Sequence, residues 1–388
     1  MVRTGLERIF EAPFIDLLKS ERVGLIVNPA TVDPKFRHAA DLFAEKPEFK
    51  LTALFGPQHG IRGETQDNMI EWSGFNDPRS GVPVFSLYGE SRIPTPDMLE
   101  NLDVLVFDVQ DVGTRVYTFI YTMALAMQAC GRAGKRFVVL DRPNPIGSAV
   151  SGNILEPAFT SFVGLYPIPM QHGMTVGELA LLFKAEFGVA CDLAVVPMEG
   201  WRRDMQFEET GLPWIMPSPN MPTPDTARVY PGGVIFEGAN ISEGRGTTRP
   251  FELIGAPWVD PHALAVKMNS FNFTGVFFRE CWFEPTFHKW HGERCGGVQI
   301  HIQDPAAFPA YFACVRLLAE IRAQSPDRFA WKQPPYEYEY DKLPIDLIFG
   351  TDKIRLAIES GDDLCGLETS WRTELDSFLE LRSKHLLY

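Results

Sequence analysis

The stretch Val104-Leu105-Val106-Phe107-Asp108-Val109-Gln110-Asp111-Val112-Gly113-Thr114-Arg115 decides the fold. Four consecutive apolar residues give way to Asp108 and then to a polar loop containing a glycine. A strand apolar on both faces belongs in a parallel sheet covered on both sides by helices. Downstream, residues 117–133 read as a helix stopped by Gly134, and Phe137-Val138-Val139-Leu140-Asp141 repeats the strand pattern. Working outward, Val23-Gly24-Leu25-Ile26-Val27-Asn28, Leu51-Thr52-Ala53-Leu54-Phe55 and Val82-Pro83-Val84-Phe85-Ser86-Leu87 read as strands of the same kind. Helices are expected at about 36–45 and after the start signal Pro94-Thr95-Pro96-Asp97. This alternation predicts an α/β fold with a doubly wound parallel sheet.

Beyond Asp141 the pattern loosens. Residues 175–187 form an amphipathic helix, with Thr175 and Glu178 at capping-box spacing, and 192–198 form another strand. Residues 214–257 are rich in Pro, Gly and Asn and too long for a linker, which suggests ordered functional loops. The expected division is a first domain over 1–228 and a smaller α+β domain over 229–388. Helices in the second are expected at 261–270, 305–324 and 370–381, and strands at 276–283 and 297–302.

The 388 residues carry 36 Lys plus Arg against 50 Asp plus Glu, a formal charge of −14. Nucleic-acid binding is disfavoured, since it needs clustered cations. No apolar run reaches the length of a membrane span. The N-terminus lacks a signal-peptide core, so the chain as written reads as cytoplasmic, or as a mature form whose leader has been removed. Six scattered cysteines without CxxC spacing argue against disulfides or zinc.

In an open α/β sheet, ligands bind outside the carboxyl ends of the strands. Here five strands end in polar loops at 28–31, 56–64, 88–92, 108–115 and 141–145, which would meet on one rim. No GxGxxG follows the first strand, and neither GxxxxGK[ST] nor GxSxG occurs, which removes the usual nucleotide cradle and serine nucleophile. His288, His291 and Cys295 lack further ligands, so neither metal nor organic cofactor is expected. Carboxylates, arginines, asparagines and aromatics remain, a mixture suited to carbohydrate chemistry. Glycosidic cleavage needs a protonated carboxyl for the leaving oxygen and often a second carboxylate. Glu90 is the first candidate: it follows an apolar strand beside Tyr88 and Gly89, where desolvation would keep it protonated. Glu64 and Glu243 are candidates for the second carboxylate, and Asp108 or Asp111 could orient or polarise.

The segments Gly56-Pro57-Gln58-His59-Gly60-Ile61-Arg62-Gly63, Ser86-Leu87-Tyr88-Gly89, Phe107 to Thr118, Leu140-Asp141-Arg142-Pro143-Asn144-Pro145, Pro169 to Glu178, Pro217-Ser218-Pro219-Asn220-Met221-Pro222 and Glu237 to Arg249 resemble the bacterial exo-β-N-acetylmuramidase family, long catalogued as DUF1343. The resemblance runs over nearly the whole chain. It implies a Rossmann-like N-terminal domain, a smaller C-terminal domain, a cleft between them, and release of N-acetylmuramic acid from non-reducing ends of peptidoglycan fragments. It also places the family's catalytic glutamate at Glu90. The substrate's lactyl carboxylate would need a cation, with Arg62, Arg115, Arg142, Arg245 and Arg249 available. Asn28, Asn144, Asn220 and Asn240 could meet sugar hydroxyls, Tyr88 or Tyr117 the ring face, and His59 and His172 could donate or accept hydrogen bonds. An inverting, a retaining and a substrate-assisted route stay open. The alternative is a non-catalytic binding protein for cell-wall fragments.

Overall fold

The computed structural model describes residues 1–66 and 69–388. Its centre is a seven-stranded sheet. In chain order the strands are β1 (Arg22–Val27), β2 (Lys50–Gly56), β3 (Phe75–Asn76), β4 (Pro83–Ser86), β5 (Val104–Asp108) and β6 (Arg136–Leu140). A hairpin, β7 (Ser151–Ile154) and β8 (Pro169–Gln171), intervenes before β9 (Asp192–Val196) completes the sheet. The spatial order is β3-β4-β2-β1-β5-β6-β9, parallel throughout except at the β3 edge.

The period of two sorts the strand residues onto two faces. Leu105, Phe107, Phe137 and Val139 join one core, and Val104, Val106, Val138 and Leu140 join the other. Helix Phe119–Ala133 seals the first face and ends at left-handed Gly134; Val176–Glu186 covers it beside that helix, starting on the expected Thr175–Glu178 box. Because β1 lies between β2 and β5, with Val27 opposite Asp108, the chain leaves β1 in opposite directions at this point. That switch opens a crevice at the carboxyl ends.

The C-terminal half carries an antiparallel sheet, β10 (Leu253–Ala256), β11 (Val276–Phe283) and β12 (Cys295–Ile302), ordered β10-β12-β11. Helices Pro261–Ser270 and Ala310–Gln324 pack beside it. Its apolar core is continuous with the first face of the large sheet. The end of the chain returns to the first half, where the Tyr388 hydroxyl donates to Asp141 Oδ2 at 2.8 Å.

Two expectations change. The 214–257 stretch contains helix Pro224–Gly233 and a following 3-10 turn, Val234–Gly238. Pro231, Gly232 and Gly233 hide that helix from propensity, yet packing requires them: a Cβ on Gly232 would lie 2.2 Å from the Ala310 carbonyl oxygen. The helix expected over 36–45 is shorter, Ala39–Ala44, capped by the His38 side chain. No helix among the described residues is long and apolar enough to cross a membrane.

Candidate active site

The loops after β2 and β5 and the 217–221 segment meet the C-terminal half in one pocket. Its walls include Gln58, His59, Tyr117, Thr118, Ser218 and Asn220 from the first half, and Tyr230, Arg245, Tyr336 and Glu337 from the second. Asn28, buried at the end of β1, shapes the rim rather than facing a ligand. It donates to the Pro217 carbonyl at 3.1 Å and accepts from the Ala30 amide at 3.1 Å. Asn220 donates to the Gln66 carbonyl at 3.0 Å while lining the pocket. His59 sits at φ 70°, and its Nδ1–H donates to the Thr65 carbonyl at 2.7 Å, which fixes its tautomer.

Two side chains hydrogen-bond the Glu337 carboxyl, and each is held by a further contact. Thr118 Oγ1 donates to Gln58 Oε1 at 2.7 Å, and Gln58 Nε2 donates to Glu337 Oε1 at 3.2 Å. The Tyr88 hydroxyl donates to Glu337 Oε2 at 2.6 Å and accepts from the Met69 amide at 3.1 Å. Burial pushes the Glu337 carboxyl up to about 7; the Tyr88 hydrogen bond opposes this, and the Glu237 charge adds to it. The turn presenting it is closed by Tyr336 and Glu339, whose amides and carbonyls pair at 3.0 and 2.9 Å. Both central residues, Glu337 and Tyr338, have positive φ, 46° and 67°. Such a turn ordinarily takes Asn-Gly; two bulky residues there cost about 1–3 kcal/mol each.

Behind the pocket lies a buried charge cluster. Arg245 Nη2 donates to Glu237 Oε1 at 2.7 Å, and the Tyr336 hydroxyl donates to Glu237 Oε2 at 2.7 Å. Glu243 lies 2.6 Å from Lys289 Nζ, 3.2 Å from His288 Nδ1 and 3.3 Å from Arg245 Nε. Burial alone would raise the Glu243 pKa, but Lys289, His288 and Arg245 together hold it well below the usual range. Glu243 is therefore a fixed carboxylate and not a proton donor. Lys289 also donates to the carbonyls of Phe236, Ala239 and Ile241, which pins the 236–245 loop.

Several expected contacts fall elsewhere. Arg115 is fully buried and donates to four main-chain carbonyls, so it has no face for a substrate. Arg142 is spent on Asp108, with Nη2 to Oδ2 at 2.9 Å. That pair ties β5 to the loop after β6. Asn144 is held between the Met174 carbonyl and the Ile146 amide. His172 Nδ1 accepts from the Met174 amide, and Nε2 lies 3.5 Å from Asp111 Oδ2; both residues are buried. Asn240 is held by Arg328 and Ala330. Tyr88 is buried beneath the site rather than stacked under a sugar. Arg62 is exposed over the Phe75 ring, and Arg249 pairs with Glu252 at 3.3 Å. Arg245, Tyr117, His59 and Asn220 are the substrate-binding candidates that face the pocket.

Of the carboxylates expected to act, Glu64 is exposed on the loop that also carries Gln58 and His59. Glu90 is exposed in a separate groove with Glu71, Trp72 and Thr95, and does not line the pocket. The tight 86–89 turn explains the difference, because it turns Tyr88 inward and leaves Glu90 facing out. Glu90→Gln is accordingly expected to keep kcat/KM within about twofold, whereas general acid–base catalysis contributes about 10²–10⁴-fold. A hundredfold fall with unchanged Tm would show that Glu90 reaches the substrate.

The family model described as "Exo-beta-N-acetylmuramidase NamZ, N-terminal" matches residues 23–225, and its C-terminal companion matches 228–388. The chain belongs to this family. It is 47% identical, over 388 residues, to the peptidoglycan β-N-acetylmuramidase NamZ of Bacillus subtilis strain 168, covering 100% of this chain and 91% of that protein. Crystal structures of two DUF1343 family proteins from Bacteroides fragilis NCTC 9343 superpose on it. One has a TM-score of 0.90 at 38% identity and the other 0.77 at 30%; each match covers 100% of this chain and 99% of the other. The two family models meet within the helix that starts at Pro224, so the pocket draws one wall from each.

Glu337, Tyr336, Glu237 and Lys289 were not among the residues the sequence pointed to. The available signal was Tyr336-Glu337-Tyr338-Glu339 after Pro334-Pro335, an aromatic–acid alternation with no glycine to mark a left-handed turn. Among the described residues no group of three or more His, Cys, Asp or Glu is arranged to hold a metal ion.

Proposed function

We propose that the chain is a glycoside hydrolase that removes N-acetylmuramic acid from the ends of peptidoglycan fragments, with the sugar seated in the pocket between the two halves. The observation that carries this reading is Arg245. Among the described residues lining the pocket it is the one permanent cation, and its single hydrogen bond uses Nη2. Nε faces Glu243 at 3.3 Å, and Nη1 is left for an anion. N-acetylmuramic acid differs from N-acetylglucosamine by a lactyl ether bearing a carboxylate, which a guanidinium reads bidentately. Tyr117 and Tyr230 supply an aromatic wall, and Ser218 and Asn220 supply hydroxyl and amide partners. Glu64, on the rim, is the candidate for a carboxylate that handles water or C1.

Two chromogenic β-glycosides test this, one of N-acetylmuramic acid and one of N-acetylglucosamine. Release from the first at least a hundredfold faster than from the second is expected. Equal release would remove the role of the lactyl carboxylate. Tight binding of fragments with no release would support the binding-protein reading instead.

A further inference from the structure

We infer that Glu337 is the acid that protonates the departing glycosidic oxygen, held for that purpose between Tyr88 and Gln58 on the wall of the pocket. The inference rests on the glycosidase reading above and adds a catalytic residue to it. Three buried carboxylates surround the pocket, and they differ in what they face. Glu237 has Arg245 at 2.7 Å and Glu243 has Lys289 at 2.6 Å, so both are anchored against cations. Glu337 accepts hydrogen bonds from neutral donors, the Tyr88 hydroxyl and the Gln58 amide, with the Arg92 charge acting from beside Tyr338, and Glu337 lines the pocket itself.

The charges agree with that assignment. Burial and the nearby Glu237 charge favour the proton on Glu337, whereas the Arg92 charge and the hydrogen bonds from Tyr88 and Gln58 oppose it, and burial is the largest of these effects. The carboxylate of an anionic sugar in the pocket strengthens the tendency of Glu337 to keep its proton. The strained turn fits the same role. A Glu–Tyr pair at positive φ is an unfavourable way to turn a chain, and it persists here where it drives one carboxyl across from the second half into the rim of the first. Tyr338 fastens the other side of the turn, with the Arg92 guanidinium 3.6 Å from its ring centroid.

In the step itself, the proton passes from Glu337 to the glycosidic oxygen as the C1–O bond breaks and its electron pair moves onto that oxygen. Water supplies the hydroxyl at C1, and its second proton restores Glu337. The sum is one water added across the bond. Because the acid form is required, kcat/KM falls as pH rises through about 7, the value to which burial pushes this carboxyl. The limb for kcat lies higher still, since the bound anion favours protonation.

The test is Glu337→Gln, assayed on two substrates: the disaccharide with N-acetylglucosamine as leaving group, and a dinitrophenyl β-N-acetylmuramide whose leaving group needs no proton. The expected result is a loss of at least a hundredfold on the disaccharide, less than about tenfold on the dinitrophenyl glycoside, and no alkaline limb on either. Equal losses on both substrates would overturn the assignment and leave Glu337 a positioning residue. Tyr88→Phe gives an independent reading. Removing a hydrogen bond that favours the carboxylate moves the alkaline limb to higher pH; an unmoved limb counts against Glu337. If wild-type protein cleaves neither substrate, the glycosidase reading fails first, so the two failures are distinguishable.

Discussion

Arg115→Met is expected to lose about 2–4 kcal/mol of stability while kcat/KM of the folded protein stays within about threefold of wild type. The side chain is wholly buried. Nη1 donates to the carbonyls of Asn153 at 2.8 Å and Ile168 at 3.1 Å, and Nη2 to those of Ile348 at 3.1 Å and Phe349 at 2.7 Å. One guanidinium therefore joins the β7–β8 hairpin to the carboxyl end of helix Pro344–Phe349, where a cation also meets the negative end of the dipole. Each orphaned buried acceptor costs about 1–3 kcal/mol. Two effects reduce the total. The Asn153 side-chain amide also donates to the Phe349 carbonyl at 2.7 Å, so that oxygen keeps a partner. Removing a buried cation without a carboxylate also removes its desolvation penalty. Urea denaturation gives the stability, and kinetics well below the midpoint give the activity. A substrate-reading Arg115 would produce the reverse pattern, a stable protein with a raised KM for the muramic glycoside.

Arg115 also shows what the sequence could tell. The run through Val104 to Arg115 placed β5 and the loop after it correctly, because strand burial and loop polarity are local properties of the chain. Which polar side chains face a ligand is not local. Arg115 and Arg142 sit in the right loops and point into the protein, one onto carbonyls from the second half and the other onto Asp108. The same applies to Asn28 and Asn144, whose amides close their own turns. Glu337 fails in the opposite direction. Its neighbours in sequence suggest an ordinary surface segment, and it becomes a pocket residue only through long-range contacts with Gln58 and Tyr88, 279 and 249 residues away. A buried pocket assembled across two halves leaves little periodic trace, whereas each half's strands and helices do.

Arg245→Met is expected to combine both kinds of loss. Glu237 and Glu243 are each buried and each within 3.3 Å of the Arg245 guanidinium. Withdrawing the cation leaves Glu237 with the Tyr336 hydroxyl and Glu243 with Lys289 and His288. Stripping one partner from a buried ion pair costs about 3–5 kcal/mol, the lower end applying here because both carboxylates keep a donor. With Arg245 as the proposed reader of the lactyl carboxylate, the pocket would also lose that charge-assisted contact. Such a bond is worth about 1.5–3 kcal/mol, or roughly 10- to 150-fold in kcat/KM. Arg245→Lys separates the two effects. An ammonium keeps the charge beside Glu237, so most of the stability returns, but it cannot offer two parallel N–H donors to a second carboxylate. Denaturation midpoints close to wild type, with a tenfold or greater fall in kcat/KM for the muramic glycoside, are therefore expected for the lysine variant. A lysine variant with wild-type kcat/KM would show that Arg245 serves the buried cluster alone and that the lactyl group is recognised elsewhere.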